Sequence, residues 1–201
     1  MPRLMVVSAP SGAGKTTICR RLVEQVPDLF YSVSYTTRKP RPGEKEGVDY
    51  FFCDRSRFEA MIEAGEFLEW AEVYGHYYGT GRQKVLQQLK NGRDVLVDIE
   101  IVGARQIKAA FPEAVFIFIL PPTFQELAHR LELRGTEDEA EQDKRLSQAR
   151  TEIEAHQMYD YLVINDEVDR AVEDLIMLVR AERLHLPKDD QFWRRFFQDS
   201  K

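Results

Sequence analysis

Only two cysteines occur in 201 residues, Cys19 and Cys53, far apart and without a C-x-x-C spacing. This argues against a disulfide framework or a thiolate metal centre, reads both as small reduced core residues, and makes the cytoplasm the expected compartment. The four histidines, His76, His129, His156 and His185, show no metal-ligand spacing and are read as structural or surface residues. Basic charge is also in short supply, with 28 Lys and Arg against 34 Asp and Glu and a net charge of −6. A chain that binds nucleic acid through bulk electrostatics needs the opposite balance, so no nucleic-acid partner is expected and any bound anion must meet a local cluster of positive charge. No apolar run approaches the length of a membrane span, and Met1 to Val7 is too short in apolar length for a signal peptide.

What is present points to a mixed fold. The length suits one domain, or one core domain carrying insertions, and a hydrophobic content of 43% supports a sizeable core. Short β-type runs at Leu4 to Ser8, Val95 to Ile99, Val115 to Leu120 and Tyr161 to Ile164 alternate with amphipathic stretches. That alternation is the pattern of a parallel sheet flanked by helices. Helices are predicted over Lys15 to Gln25, Arg57 to Ala64, Gly81 to Lys90, Gly103 to Ala110, Phe124 to Arg134, Glu137 to Met158 and Asp169 to Leu184. Three of them start at a capping box: Ser56 with Glu59, Thr123 with Glu126, and Thr136 with Glu139.

Two segments break the alternation. Residues 33–80 are rich in Tyr, Thr, Gly and Arg and read as short antiparallel strands with one helix. The charged run Arg134 to Arg145 lies between two helices, and with Arg130 it suits a mobile lid closing over phosphates. After Pro187 the residues Phe192, Trp193, Phe196 and Phe197 share one helical face. This face is expected to pack on its own domain, with a partner surface, or self-association into a homo-oligomer, as the alternative.

The chemistry begins at Ala9-Pro-Ser11-Gly12-Ala13-Gly14-Lys15-Thr16-Thr17, between an apolar strand and a helix. This is a phosphate-binding loop in all but its first glycine, which is Ala9 here. In such a loop backbone N–H groups at a helix N-terminus point at phosphate oxygens, the lysine reaches the terminal phosphates, and the hydroxyl after it ligates Mg²⁺. A second anion site is suggested by Arg38 and Arg41, spaced by three with Pro40 and Pro42 stiffening the loop. Their guanidinium forks suit a dianionic phosphate, and Tyr50 and Tyr78 can add phenolic hydrogen bonds.

The run Ser34 to Phe52, with Glu66-Phe-Leu-Glu69-Trp70, Tyr77-Tyr-Gly-Thr80, Val95-Leu-Val-Asp98-Ile-Glu100, Arg130 to Glu137 and Asn165-Asp166, closely resembles the guanylate kinase family. The resemblance covers nearly all the chain up to about residue 184. It implies an α/β P-loop NTPase-type core at 1–32, 81–121 and 159–184, an inserted mixed α/β GMP-binding subdomain at 33–80, a mobile helical lid at 122–158, and a C-terminal aromatic extension at 185–201. The activity implied is transfer of the γ-phosphoryl of ATP to GMP, with dGMP as a further acceptor and Mg²⁺ as cofactor.

Guanine offers an O6 acceptor and donors at N1 and N2, so a carboxylate can accept both donors while hydroxyls serve O6. By resemblance Glu69 is that carboxylate and Ser34 and Thr80 are the hydroxyls. The resemblance places Ser11 to Thr17, Arg130, Arg134, Asn165 and Asp166 on ATP, and Ser34, Arg38, Arg41, Tyr50, Glu69, Tyr78, Thr80, Asp98 and Glu100 on GMP. Lys15, Arg41, Arg134 and Arg145 are the catalytic set, and Thr16 and Asp98, the latter through water, hold the metal. Glu100 stands where the family more often has Asp, and Val102 where Gln is common before Gly103. Two other readings share parts of the pattern: a guanylate-kinase-like scaffold, which typically lacks a working phosphate loop and lid, and a kinase of phosphorylated sugars, which has no use for the guanine-reading trio.

Overall fold

The computed structural model describes residues 2–133, 139–186, 193, 194 and 197. In chain order the elements are β1 (Leu4–Ser8), α1 (Lys15–Gln25), β2 (Leu29–Ser32), β3 (Tyr35–Thr36), β4 (Phe51–Phe52), α2 (Arg55–Glu63), β5 (Phe67–Val73), β6 (His76–Gly81), α3 (Arg82–Lys90), β7 (Asp94–Asp98), α4 (Ile101–Ala110), β8 (Val115–Leu120), α5 (Phe124–Leu133), α6 (Glu139–Glu154), a 3-10 turn at Ala155–Met158, β9 (Tyr161–Ile164) and α7 (Val168–Arg183).

Five strands form a parallel sheet in the order β2-β7-β1-β8-β9. Both of its faces are covered, which is why β1 is buried throughout and apolar from Leu4 to Val7 rather than alternating with polar residues. Met5 and Val7 point to the side filled by Ile18 and Leu22 of α1 and Leu175 and Val179 of α7. Leu4 and Val6 point to the other, where Val85 of α3 and Ala104 and Ile107 of α4 pack. Successive strand residues face opposite ways, so each β1 residue serves one of the two cores.

A second sheet, in the order β4-β3-β6-β5, carries the segment between β2 and α3. Its small core of Phe58, Met61, Phe67 and Tyr77 is largely aromatic, with Phe58 stacked on Phe67 at 4.3 Å and on Tyr77 at 5.2 Å. The strands here are not all antiparallel as expected, because β3 and β4 run parallel. Leu68 of β5 is buried with the α3 and α4 side chains, not with the aromatic cluster, so this sheet is tied to the main core at that residue.

Local differences from the sequence reading have physical causes. β2 is a strand that periodicity did not reveal: it is four residues long at the sheet edge and follows Asp28, which has a positive φ of 60°. Helix α2 begins two residues before the expected start because Asp54, not Ser56, is its N-cap; the Asp54 carboxylate accepts the Arg57 N–H at 2.7 Å, and Ser56 Oγ donates to the same oxygen. The Thr123 cap is present, with its hydroxyl accepting the Glu126 N–H at 3.0 Å. The Thr136 cap, Arg134, Glu137 and the Glu139 side chain lie outside the described residues, as do Pro187, Phe192 and Phe196.

Candidate active site

The phosphate loop leaves the carboxyl end of β1, between β7 and β8, the crevice where open parallel sheets bind ligands. Gly12 and Gly14 have φ values of 90° and 87°, a left-handed conformation that side chains with a Cβ rarely adopt. Ala9 shows no such φ, so its departure from glycine costs the loop nothing. Gly14 is the N-cap of α1 and offers no side-chain cap, which leaves the first-turn N–H groups free to meet an anion. Thr16 and Thr17 are exposed at that turn.

Lys15 is held from below. Its ammonium donates to the Ile99 carbonyl at 2.8 Å and pairs with Asp98 at 2.9 Å, with Glu100 at 3.8 Å. Burial works against its charge, but Asp98 and Glu100 more than offset that and hold the ammonium above the ordinary lysine range. Asp98 is the last residue of β7 and stands beside Val7 of β1, so the parallel register brings the acid to the loop.

The loop opens into a cavity of about 530 Å³ lined also by Arg38, Arg41, Tyr50, Tyr78, Glu100 and Arg145. Arg145 reaches it from α6, with its guanidinium 5.4 Å from the Tyr74 ring centre. Arg38 and Arg41 are therefore brought to the same cavity as Lys15, across 23 residues or more of chain. Arg38 grips the Glu44 carboxylate with both nitrogens, at 2.7 and 3.0 Å, and the Arg41 N–H donates to Glu44 at 2.7 Å. The hydrogen bond from Arg38 holds the Glu44 carboxyl below the usual range. Glu44 belongs to the site although the sequence reading gave it no role; its spacing of three from Arg41, across Pro42 and Gly43, was the available signal.

A second cavity, about 70 Å³, adjoins the first through Lys15, Thr16, Tyr50, Tyr78 and Glu100, and is lined in addition by Ser34, Glu69 and Asp98. Glu69 is 4% exposed, and Thr80 Oγ1 donates to it at 2.6 Å. Burial pushes the Glu69 carboxyl up to about 7, with the Thr80 hydrogen bonds opposing the shift. A carboxyl group desolvated in this way lacks the hydrogen-bond donors that water would supply.

The remaining expected residues are distributed around the loop. Asn165, 2% exposed, donates to the Ala13 carbonyl at 2.7 Å, and its amide nitrogen stands 2.5 Å from where a Cβ on Gly14 would lie. Arg130 donates to the Asn165 carbonyl at 3.1 Å and pairs with Glu126 at 2.7 Å. Asp166 accepts the Glu167 N–H and pairs with Arg170 at 3.2 Å, on the outside of the same turn. Asn165 thus touches the phosphate loop from behind. Asn165→Asp should replace an N–H donor with a carboxylate facing the Ala13 carbonyl, and weaken binding of a phosphate-bearing ligand at the loop by about tenfold or more. Titration with an inorganic triphosphate reads the difference, and unchanged binding would sink the idea.

A family model described as guanylate kinase matches residues 1–182 of the chain. The chain belongs to the guanylate kinase family. It is 48% identical over 197 residues to a guanylate kinase of Caldanaerobacter subterraneus subsp. tengcongensis, covering 98% of this chain and 96% of that one. It is 52% identical over 181 residues to a guanylate kinase of Carboxydothermus hydrogenoformans, covering 90% and 89%. Among solved structures, the crystal structure of guanylate kinase from Anaplasma phagocytophilum superposes with a TM-score of 0.78 at 32% identity, over 92% of this chain and 87% of that one. The α/β fold with its parallel sheet is therefore the family's.

Proposed function

We propose that this member of the family transfers the γ-phosphoryl of ATP to GMP, and also to dGMP, giving ADP and GDP in the cytoplasmic recycling of purine nucleotides. The observation that carries the reading is the meeting of two cavities at Lys15 and Thr16, one lined by the phosphate loop and the other by Glu69. A donor triphosphate and an acceptor monophosphate then face each other across a shared wall. The scaffold and sugar-kinase readings each leave one of those cavities without a purpose.

The attacking GMP phosphate needs no general base, since its second pKa of about 6 leaves it largely ionised at neutral pH. Catalysis is positioning and charge neutralisation. Lys15 and the N–H groups of residues 11–17 hold the ATP phosphates. Arg38, Arg41, Tyr50 and Tyr78 hold the acceptor phosphate, with Arg41 between the two substrates. Ser34, Glu69 and Thr80 read guanine, flanked by Asp98 and Glu100. Arg130, Asn165 and Asp166 bound the adenine side, with Asn165 acting through the loop it supports. The exposed Thr16 hydroxyl and the Asp98 carboxylate are hard oxygen donors that suit Mg²⁺, which keeps several waters and binds mainly through substrate phosphates. That ion, when bound, neutralises phosphate charge.

Arg145 and Arg134 engage charge that develops during transfer. Arg145→Ala and Arg134→Ala should each lower kcat by about 10²-fold or more while KM for GMP moves far less. An unchanged kcat would remove that residue from the catalytic set. The function as a whole is tested by ADP formation from Mg-ATP with GMP, dGMP, AMP, CMP and UMP as acceptors. Transfer confined to the guanine nucleotides is expected; GMP bound but never phosphorylated would overturn the assignment in favour of a scaffold.

A further inference from the structure

Glycine inside a helix is disfavoured relative to alanine, because it surrenders more backbone freedom on folding. Gly103 nevertheless stands in the first turn of α4, buried and without a left-handed φ. The backbone does not require it there; the neighbouring space does. A Cβ at this position would overlap Glu69 Oε2 and come within 2.8 Å of its Cδ and 3.3 Å of its Cγ. The carboxylate is enclosed and fixed on its other oxygen by Thr80, so it would have to leave its place to make room.

Three residues further on, and so on the same helical face, Gln106 meets the residue next to Glu69. Its Nε2 donates to the Trp70 carbonyl at 2.6 Å, and its Oε1 accepts the Trp70 N–H at 3.2 Å. β5 is an edge strand of its sheet, so the outward Trp70 peptide has no strand to pair with, and Gln106 takes that role with one side chain. Between Phe67 and Glu69 the register of β5 against β6 shifts, a bulge of the kind that re-aims a side chain. Leu68, at that bulge, is buried with Val85, Ile99, Ala104 and Ile107.

We propose that Gly103 and Gln106 are specificity-positioning residues, through which α4 fixes where the Glu69 carboxylate meets the base. Gly103 leaves the room and Gln106 holds the adjoining peptide. The proposal rests on the reading of Glu69 as acceptor for guanine's N1–H and 2-amino group. Val102, between the core-facing Ile101 and Gly103, is exposed, so its departure from the family's common Gln leaves this contact untouched.

Inosine monophosphate separates the effects, because it keeps N1–H and O6 but lacks the 2-amino group. The unsubstituted chain should favour GMP over inosine monophosphate in kcat/KM by about tenfold or more. In Gly103→Ala and Gln106→Ala that ratio should fall toward unity through a higher KM for GMP, with KM for ATP unchanged. In a Glu69→Ala background Gly103→Ala should leave the ratio unmoved, since the residue it acts through is gone. A loss of stability alone would lower activity toward both acceptors equally, so the ratio isolates positioning. Gln106 is exposed, so its variant decides the matter even where Gly103→Ala folds poorly. Parental discrimination in a Gln106→Ala protein that melts like the parent overturns the proposal. Absence of any GMP preference in the unsubstituted chain overturns the Glu69 reading itself, and the proposal with it.

Discussion

Lys15→Met should lower phosphoryl transfer by about 10³-fold and destabilise the fold at the same time. The first effect follows, on the proposed function, from removing the charge that would meet the donor phosphates at the head of α1. The second follows from what the ammonium leaves behind. Asp98, with its side chain 8% exposed, would lose a partner at 2.9 Å and, among the described residues, keep the Tyr31 hydroxyl at 3.4 Å. Breaking a buried pair from one side typically costs about 3–5 kcal/mol, whereas replacing both members with apolar groups is near neutral. Lys15→Met combined with Asp98→Leu should therefore recover most of the lost stability and none of the activity. Since the folded protein holds the ammonium above its ordinary value of 10.5, the lysine stays charged through neutral pH and its titration weakens the pair only above that value. Urea unfolding at pH 6 and pH 8 should show the same deficit in the single variant. A single variant as stable as the parent would sink this account of the pair.

Glu69→Gln should do the opposite to stability while it removes guanine discrimination. The carboxyl group is raised from 4.5 to about 7 by burial. Below pH 4.5 it is protonated in both the folded and unfolded states and costs nothing. Between 4.5 and 7 the folded state keeps the proton that the unfolded chain releases, so stability falls as pH rises. Above 7 the penalty is complete, at about 3 kcal/mol from 1.36 kcal/mol per unit. The carboxamide has no such penalty, so the variant's advantage in melting temperature should grow from pH 4.5 to 7 and then level off. Its kcat/KM for GMP should fall by about 10²-fold or more, because an amide NH₂ then faces guanine's own donors. In the parent, kcat/KM for GMP should fall below pH 7 as Glu69 takes up a proton. The variant reports the GMP phosphate alone over the same range, so the two profiles separate the groups. A stability difference that does not vary with pH would show that Glu69 is not the buried acid responsible.

These two side chains also mark where the sequence was readable. Lys15 was legible because its neighbours are local: the two glycines, the strand before and the helix after it lie within a dozen residues. The boundaries of β1, α1, β8 and β9 could be read for the same reason, since each is a short apolar or amphipathic run set off by polar residues. Asp98 was legible as an acid at a strand end, but its pairing with Lys15 was not, because that contact depends on β7 lying beside β1. β2 went unseen because four residues carry too little periodicity, and its pairing partner β7 is more than sixty residues away. The start of α2 was misplaced because Asp54 and Ser56 are both good caps, and only the hydrogen bonds show which one is used. The spacing of Glu44 from Arg41 was its one sequence signal and did not name Arg38 as the partner, and Gln106's hold on Trp70 needs α4 to lie beside β5.

The sequence by itself determined the glycine-rich loop between β1 and α1, the alternation that builds a parallel sheet, the close spacing of Arg38 and Arg41, and the family. Each depends on residue types at short spacings, which survive without coordinates. Only the tertiary structure decided that Lys15 rests on Asp98, that Asn165 props the loop through Ala13, and that Glu69 is buried and raised toward neutral pH in space left by Gly103. Burial, pairing and desolvation depend on which distant segments meet, and that is a property of the packed sheets and helices rather than of any one stretch of chain.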